Sequence, residues 1–159
     1  MKIKIRSRKA LQKMVEMPFA ERTAIISITD YDDNEVVLKN TPEYILRLAF
    51  DDVDNDVVFD EVGAHPTSDE LSFVENKFHM FTDEHARKVA DFYFDCRENI
   101  DVLICQCEHG QSRSAAVAAA ILEHKSKNGI AVFSDDRYFP NKVVFRRTLA
   151  ALNENIKNK

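Results

Sequence analysis

One stretch limits what this chain can fold into: Ile100-Asp101-Val102-Leu103-Ile104-Cys105-Gln106-Cys107-Glu108-His109-Gly110-Gln111-Ser112-Arg113-Ser114, followed by small residues from Ala115 to Leu122. A short apolar run bounded by turn residues reads as a buried strand, and the alanine-rich segment after it as a buried helix. The turn between them sets Cys107 at the strand's end and Arg113, six positions later, at the helix start. Successive turn N–H groups at a helix N-terminus form a nest for an oxyanion, and the same dipole favours a thiolate at Cys107. Gly110, one of three glycines in the chain, permits a backbone conformation that other residues resist. Arg113 offers a planar fork for two oxygens of a phosphate, and Ser114 can hydrogen-bond the sulfur.

The rest of the chain predicts one α/β domain over residues 1–159, built on a small, mostly parallel central sheet flanked by helices. Lys2 to Arg6 alternates like an edge strand, and Ser7 caps a helix from about Arg8 to Met17, where Pro18 ends it. Thr23 to Thr29 is nearly continuous in apolar residues, as a buried parallel strand is. Asp30 to Glu35 is a polar loop, and Tyr44 to Phe50 a third strand running into Asp51-Asp52. Residues 51–78 read as irregular, with one short helix around Asp69 to Glu75. Thr82 is an N-cap for a helix to about Arg97, with His85 at the position where a capping box has Glu or Gln. Asn128-Gly129 signals the end of the helix after the central turn. Pro140-Asn141 opens a last helix.

Composition narrows the partners. A formal net charge of −5 leaves no global basic footprint for nucleic acid or an anionic membrane, so an anion must be held by a local site. No apolar run approaches a bilayer-spanning length, and the N-terminus lacks the apolar core of a secretory signal. Three cysteines, two of them at positions 105 and 107, do not make a disulfide framework, and a reactive thiol suits a reducing cytoplasm.

The segment Cys107-Glu108-His109-Gly110-Gln111-Ser112-Arg113-Ser114 resembles the signature loop of cysteine-dependent protein tyrosine phosphatases, C-x-x-G-x-S-R-S, in its dual-specificity-like form. The resemblance is sharp from about Ile100 to Leu122 and diffuse elsewhere. It implies a phosphomonoester hydrolase, a protein tyrosine or dual-specificity phosphatase, working through a phosphocysteine intermediate without metal or cofactor on phosphorylated protein or peptide. It implies Cys107 as nucleophile, Arg113 and the backbone of Glu108, His109, Gly110, Gln111 and Ser112 as the phosphate cradle, and Ser114 as the group that helps the sulfur leave. The general acid lies on a loop after an upstream strand, where Asp51 and Asp52 stand, and Asp52 is favoured over Asp51. The separation from Cys107 is longer than in compact members, so residues 57–80 are expected to be an insertion. The family's histidine before the cysteine is replaced by Gln106, whose amide can hydrogen-bond the loop but carries no charge. A less reactive Cys107 is the expectation.

Other readings are weaker. Cys105, Cys107 and His109 alternate as metal ligands could, but a buried strand cysteine is the commoner fate. Asp52, Asp54 and Asp56 resemble a calcium loop, yet Val57 and Gly63 stand where glycine and glutamate belong. Two alternatives to a phosphatase remain. A pseudophosphatase would bind phosphorylated partners without turnover, and an arsenate-reductase-like enzyme would need Cys105 or Cys96 as a resolving thiol.

Overall fold

Four strands, every adjacent pair parallel, carry the fold in the computed structural model, which describes residues 1–157. They are β1 (Lys2–Ser7), β2 (Thr23–Thr29), β3 (Tyr44–Ala49) and β4 (Val102–Cys107), in the order β1-β4-β2-β3. Parallel pairing brings all four carboxyl ends to one edge of the sheet. Arg8, Asp30, Phe50 and Glu108, far apart in sequence, each follow a strand at that edge.

Seven helices surround the sheet among the described residues: α1 (Arg8–Met14), α2 (Asn55–Val62), α3 (Ser68–Lys77), α4 (Asp83–Cys96), α5 (Arg113–Ser126), α6 (Ile130–Phe133) and α7 (Lys142–Lys157). Strand alternation sorts the side chains of β4 between two cores. Leu103, Cys105 and Cys107 join the larger one with residues of α4, α5 and α7. Val102 and Ile104 join the smaller one, with Leu11, Val15, Ile25 and Val36. Every residue of β2 and β4 is buried, as the unbroken apolar runs require of strands covered on both faces. The run from Arg113 to Ile121 is buried as well, and its alanines let α5 lie close to both the sheet and α7.

The expected α/β architecture is the one observed, with several local differences. α1 ends at Met14 rather than Met17, and past it the Val15 N–H donates to the Leu11 carbonyl and the Glu16 N–H to that of Lys13. Residues 51–78, expected to be irregular around one helix, hold two. α3 covers the expected helix with a Thr67–Glu70 capping box. α2 was not expected, because Val57, Val58 and Phe59 lie among acids with too weak a pattern. Val58 and Val62 are packed instead by a small core of Val74, Met80 and Val143 contributed by α3, the following loop and α7. At the end of α5 the left-handed residue is Lys127 (φ 55°), not Asn128 or Gly129. Gly129 instead precedes α6 and lies against the Ala119 carbonyl, where a Cβ would come within 2.7 Å.

Two local devices stand out, one beneath the central turn and one at the start of α4. Gly110 has φ +68°, and a Cβ there would meet the Ser7 nitrogen at 2.6 Å and the Arg6 carbonyl carbon at 2.7 Å. The turn therefore rests directly on the β1–α1 junction. Ser7 Oγ accepts the Ala10 N–H to cap α1, and the Arg8 N–H donates to the Glu108 carbonyl at 3.1 Å. The helix α4 begins with a capping box in which His85 Nδ1 accepts the Thr82 N–H at 2.9 Å and Thr82 Oγ1 accepts the His85 N–H. His85 serves here because a neutral imidazole nitrogen accepts as a Gln oxygen would.

Both devices are open to test. Gly110→Ala meets backbone rather than a movable side chain, in a conformation unfavourable to L-residues, so a loss of about 2 kcal/mol or more is expected in urea unfolding. Burial lowers the His85 pKa from its ordinary value of 6.5, helped by Lys88 and opposed by Glu84. The unfolded chain thus takes up the proton first, and stability falls as pH drops from about 6.5 through the lowered folded value. His85→Gln keeps the cap and removes that component. Melting temperatures across pH 7 to 5 are expected to fall less steeply for the variant than for the wild type.

Candidate active site

The turn between β4 and α5 is held from outside through its carbonyls. Glu108 accepts from the Arg8 N–H, Gln111 from the Phe139 N–H at 2.8 Å, and Ser112 from the Ala116 and Asn141 N–H groups. The N–H groups of Glu108 to Ser112 have no acceptor among the described residues. A turn anchored through three of its carbonyls, with its successive N–H groups unpaired, is the arrangement that takes an anion. Cys107, 2% exposed, ends β4 beneath this turn, and its Sγ lies 3.1 Å from Ser114 Oγ in the first turn of α5.

Arg113 begins α5 and is 5% exposed. Its Nη1 donates to the Phe50 carbonyl at 2.8 Å and pairs with Asp30 Oδ1 at 2.6 Å. Its Nε is buried and has no partner. Leaving a buried N–H of a charged group unpaired is costly, and such groups mark places where a ligand completes the bonding.

Asp52 and Asp51 go to different places. Asp52 Oδ1 accepts from Ser112 Oγ at 2.9 Å and from Asn141 Nδ2 at 2.8 Å, which fixes this carboxyl against the end of the signature turn. Asn141 is itself held in place, donating also to the Val53 carbonyl and capping α7 through the Val144 N–H. Asp51 Oδ1 instead accepts the Tyr31 N–H at 2.9 Å, and the Asp51 N–H donates to the His79 carbonyl. Asp51 thus ties neighbouring loops together, while Asp52 is attached to the turn. Glu108 lies 3.9 Å from Arg8 across the turn, and His109 and Gln111 are exposed on its outer side.

Gln106 does not reach the turn. It stands one residue from Cys107 and so points to the opposite face of the sheet, where its Oε1 accepts from Ser27 Oγ at 2.6 Å and its Nε2 has no partner. Ser27 and Gln106 are register partners of β2 and β4, so this is a cross-strand bond and not a contact with the loop. The remaining thiols are poorly placed for chemistry. Cys96 and Cys105 are fully buried, and burial pushes Cys96 up to about 11 and Cys105 higher still. No group of three His, Cys, Asp or Glu side chains among the described residues is arranged to hold a metal ion.

Two contributors to the site escaped sequence reasoning: Asp30 and the Phe50 carbonyl. Both are the first residue after a strand, as Glu108 is, and a parallel sheet gathers such residues at one edge. That placement was the available signal.

No family model matches the chain, and no curated protein does. Solved structures do. Human DUSP28 is similar over 99% of this chain and 95% of its own, at 14% identity and a TM-score of 0.52. PTPMT1 in complex with PI(5)P is similar over 99% of this chain and 94% of its own, at 14% identity and a TM-score of 0.54. At that low identity the likeness is one of fold: over nearly its whole length the chain is folded as DUSP28 and PTPMT1 are, here as a parallel four-stranded sheet flanked by helices.

Proposed function

We propose that the protein is a phosphomonoester hydrolase, a tyrosine or dual-specificity protein phosphatase that works through a phosphocysteine. The observation that carries this reading is the conjunction at one turn of five unpaired N–H groups, a buried arginine with an unpartnered Nε, and a cysteine at their base. Three equatorial phosphate oxygens need such donors, and they need them most as charge spreads in the transition state.

The Cys107 thiolate attacks phosphorus in line with the leaving oxygen, forming the S–P bond as the P–O bond breaks. Asp52 gives its proton to that leaving oxygen. Its Oδ1 is fixed by Ser112 and Asn141, which leaves Oδ2 as the oxygen that carries the proton. In the second half, Asp52 takes a proton from water as the water oxygen attacks phosphorus. The S–P bond then breaks, and Ser114 Oγ, 3.1 Å from the sulfur, donates to the departing thiolate.

The surroundings favour an aryl phosphate on protein. Tyr31, half exposed, stacks on His79 with ring centroids 3.6 Å apart beside Asp51. Phe139, 70% exposed, follows the Tyr138 ring and is bonded through its N–H to the turn at Gln111. One ring pair tied to Asp51 and one ring tied to the turn at Gln111 suit the ring of a phosphotyrosine. Acids dominate the same edge, with Glu108 on the turn and Asp32, Asp33, Asp51 and Asp52 on the adjoining loops. That charge disfavours a polyanionic lipid headgroup such as the one in the PTPMT1 complex, and favours phosphopeptide. Residues 57–80, largely α2 and α3, are read as an insertion in the phosphatase plan, and a reducing cytoplasm as the setting that keeps Cys107 a thiol. An arsenate-reductase role finds no support in Cys96 or Cys105, both sealed in the core. No described helix is long and apolar enough to cross a membrane.

Hydrolysis of p-nitrophenyl phosphate tests the assignment. Cys107→Ser is expected to abolish turnover, and Asp52→Asn to lower kcat about 100-fold, in the range general acids contribute. Asp51→Asn is expected to retain most of the rate. A phosphotyrosyl peptide is expected to be a better substrate than PI(5)P. Turnover undiminished in Cys107→Ser would remove the site from consideration, and no turnover in the wild type would leave a binding protein.

A further inference from the structure

The contact between Asp30 and Arg113 has no part in the chemistry above, yet it determines what Arg113 can offer a substrate. A guanidinium has two edges that bind two oxygens at once: the pair Nη1–Nη2, and the pair Nε–Nη2. Here Nη1 donates to the Phe50 carbonyl at 2.8 Å and forms an ion pair with Asp30 Oδ1 at 2.6 Å. A hydrogen bond and an ion pair on one nitrogen, from two directions, hold the group's orientation as well as its position. They leave the Nε–Nη2 edge, and Nε is the atom found buried without a partner.

The two partners come from neighbouring strand ends that are themselves tied together. Phe50 follows β3 and its N–H donates to the carbonyl of Thr29, the last residue of β2. Asp30 is the next residue. The carboxylate and the carbonyl thus form one rigid corner of the sheet edge, facing the first residue of α5. Asp30 is half exposed while Arg113 is buried, so the pair reaches from the floor of the site to its rim.

We propose that Asp30 is a positioning residue that turns the Arg113 fork so that its Nε–Nη2 edge receives the phosphate oxygens. This rests on reading the turn as a phosphate site. A carboxylate beside a phosphate pocket should weaken anion binding through like-charge repulsion. Its presence is accounted for if the gain in orientation outweighs that repulsion, and the two effects have opposite signs on removal of the charge.

Inorganic phosphate binding measured by 31P NMR titration, on the full chain carrying Cys107→Ser, separates them. Adding Asp30→Asn is expected to weaken phosphate binding about tenfold despite removing a negative charge, because a two-oxygen contact is lost to misorientation. Replacing Arg113→Lys supplies a cation with no fork to orient. In that background Asp30→Asn is expected to leave binding unchanged or tighten it, a reversal that a general loss of folding would not produce. With Cys107 restored, Asp30→Asn is expected to lower kcat/KM for p-nitrophenyl phosphate at least as much as it lowers phosphate affinity. Binding that is unchanged or tighter with Arg113 present overturns the assignment of Asp30. So does an equal loss in the Arg113→Lys background. Phosphate binding that behaves as expected in a wild type without turnover overturns the phosphatase reading alone.

Discussion

A buried guanidinium is the demanding element of this molecule. Removing a partner from a buried charge typically costs about 3–5 kcal/mol, so the fold must supply partners for Arg113 wherever the helix places it. The Phe50 carbonyl and Asp30 do so from the ends of β3 and β2. That is possible because the sheet is parallel and all its carboxyl ends share one edge. The same edge delivers Cys107 from β4 and Asp52 from the loop after β3. Sheet topology, rather than any local motif, assembles the site.

Around this charge, two tight contacts hold the turn between fixed walls. Gly110 lies against the Arg6–Ser7 backbone, so β1 is the turn's floor on one side. Asn141 bonds both Asp52 and the Val53 carbonyl while capping α7, so the helix N-terminus braces the loop after β3 on the other. Phe139 and Asn141 donate their N–H groups to the turn carbonyls. The segment before α7 therefore replaces, from outside, the bonds that the turn's own N–H groups leave unmade. A preorganised cradle needs this, since donors that must reorient on binding lose much of their electrostatic worth.

Much of this was legible in the sequence. The apolar run into Cys107, the glycine and the small-residue helix predict the strand, turn and helix as observed, because each depends on local pattern. Thr82 and His85 foretold the cap of α4 for the same reason. α2 was not legible, since the burial of Val58 and Val62 depends on Val74, Met80 and Val143 from elsewhere in the chain. Asp30 was hidden likewise: among several acids of a polar loop, only the fold singles out the one that meets Arg113. Gln106 was misread for a simpler reason. Strand alternation turns it away from Cys107, and its bond is to Ser27 across the sheet.

The central claim is that Cys107 becomes covalently phosphorylated during turnover. Rapid acid quenching of the wild type with a phosphotyrosyl peptide, followed by mass spectrometry of the peptide spanning β4 and the turn, tests it directly. The account predicts one phosphoryl group on Cys107 that vanishes once substrate is exhausted. Turnover with no phosphoryl group on that cysteine, or with the group on His109 instead, would contradict it.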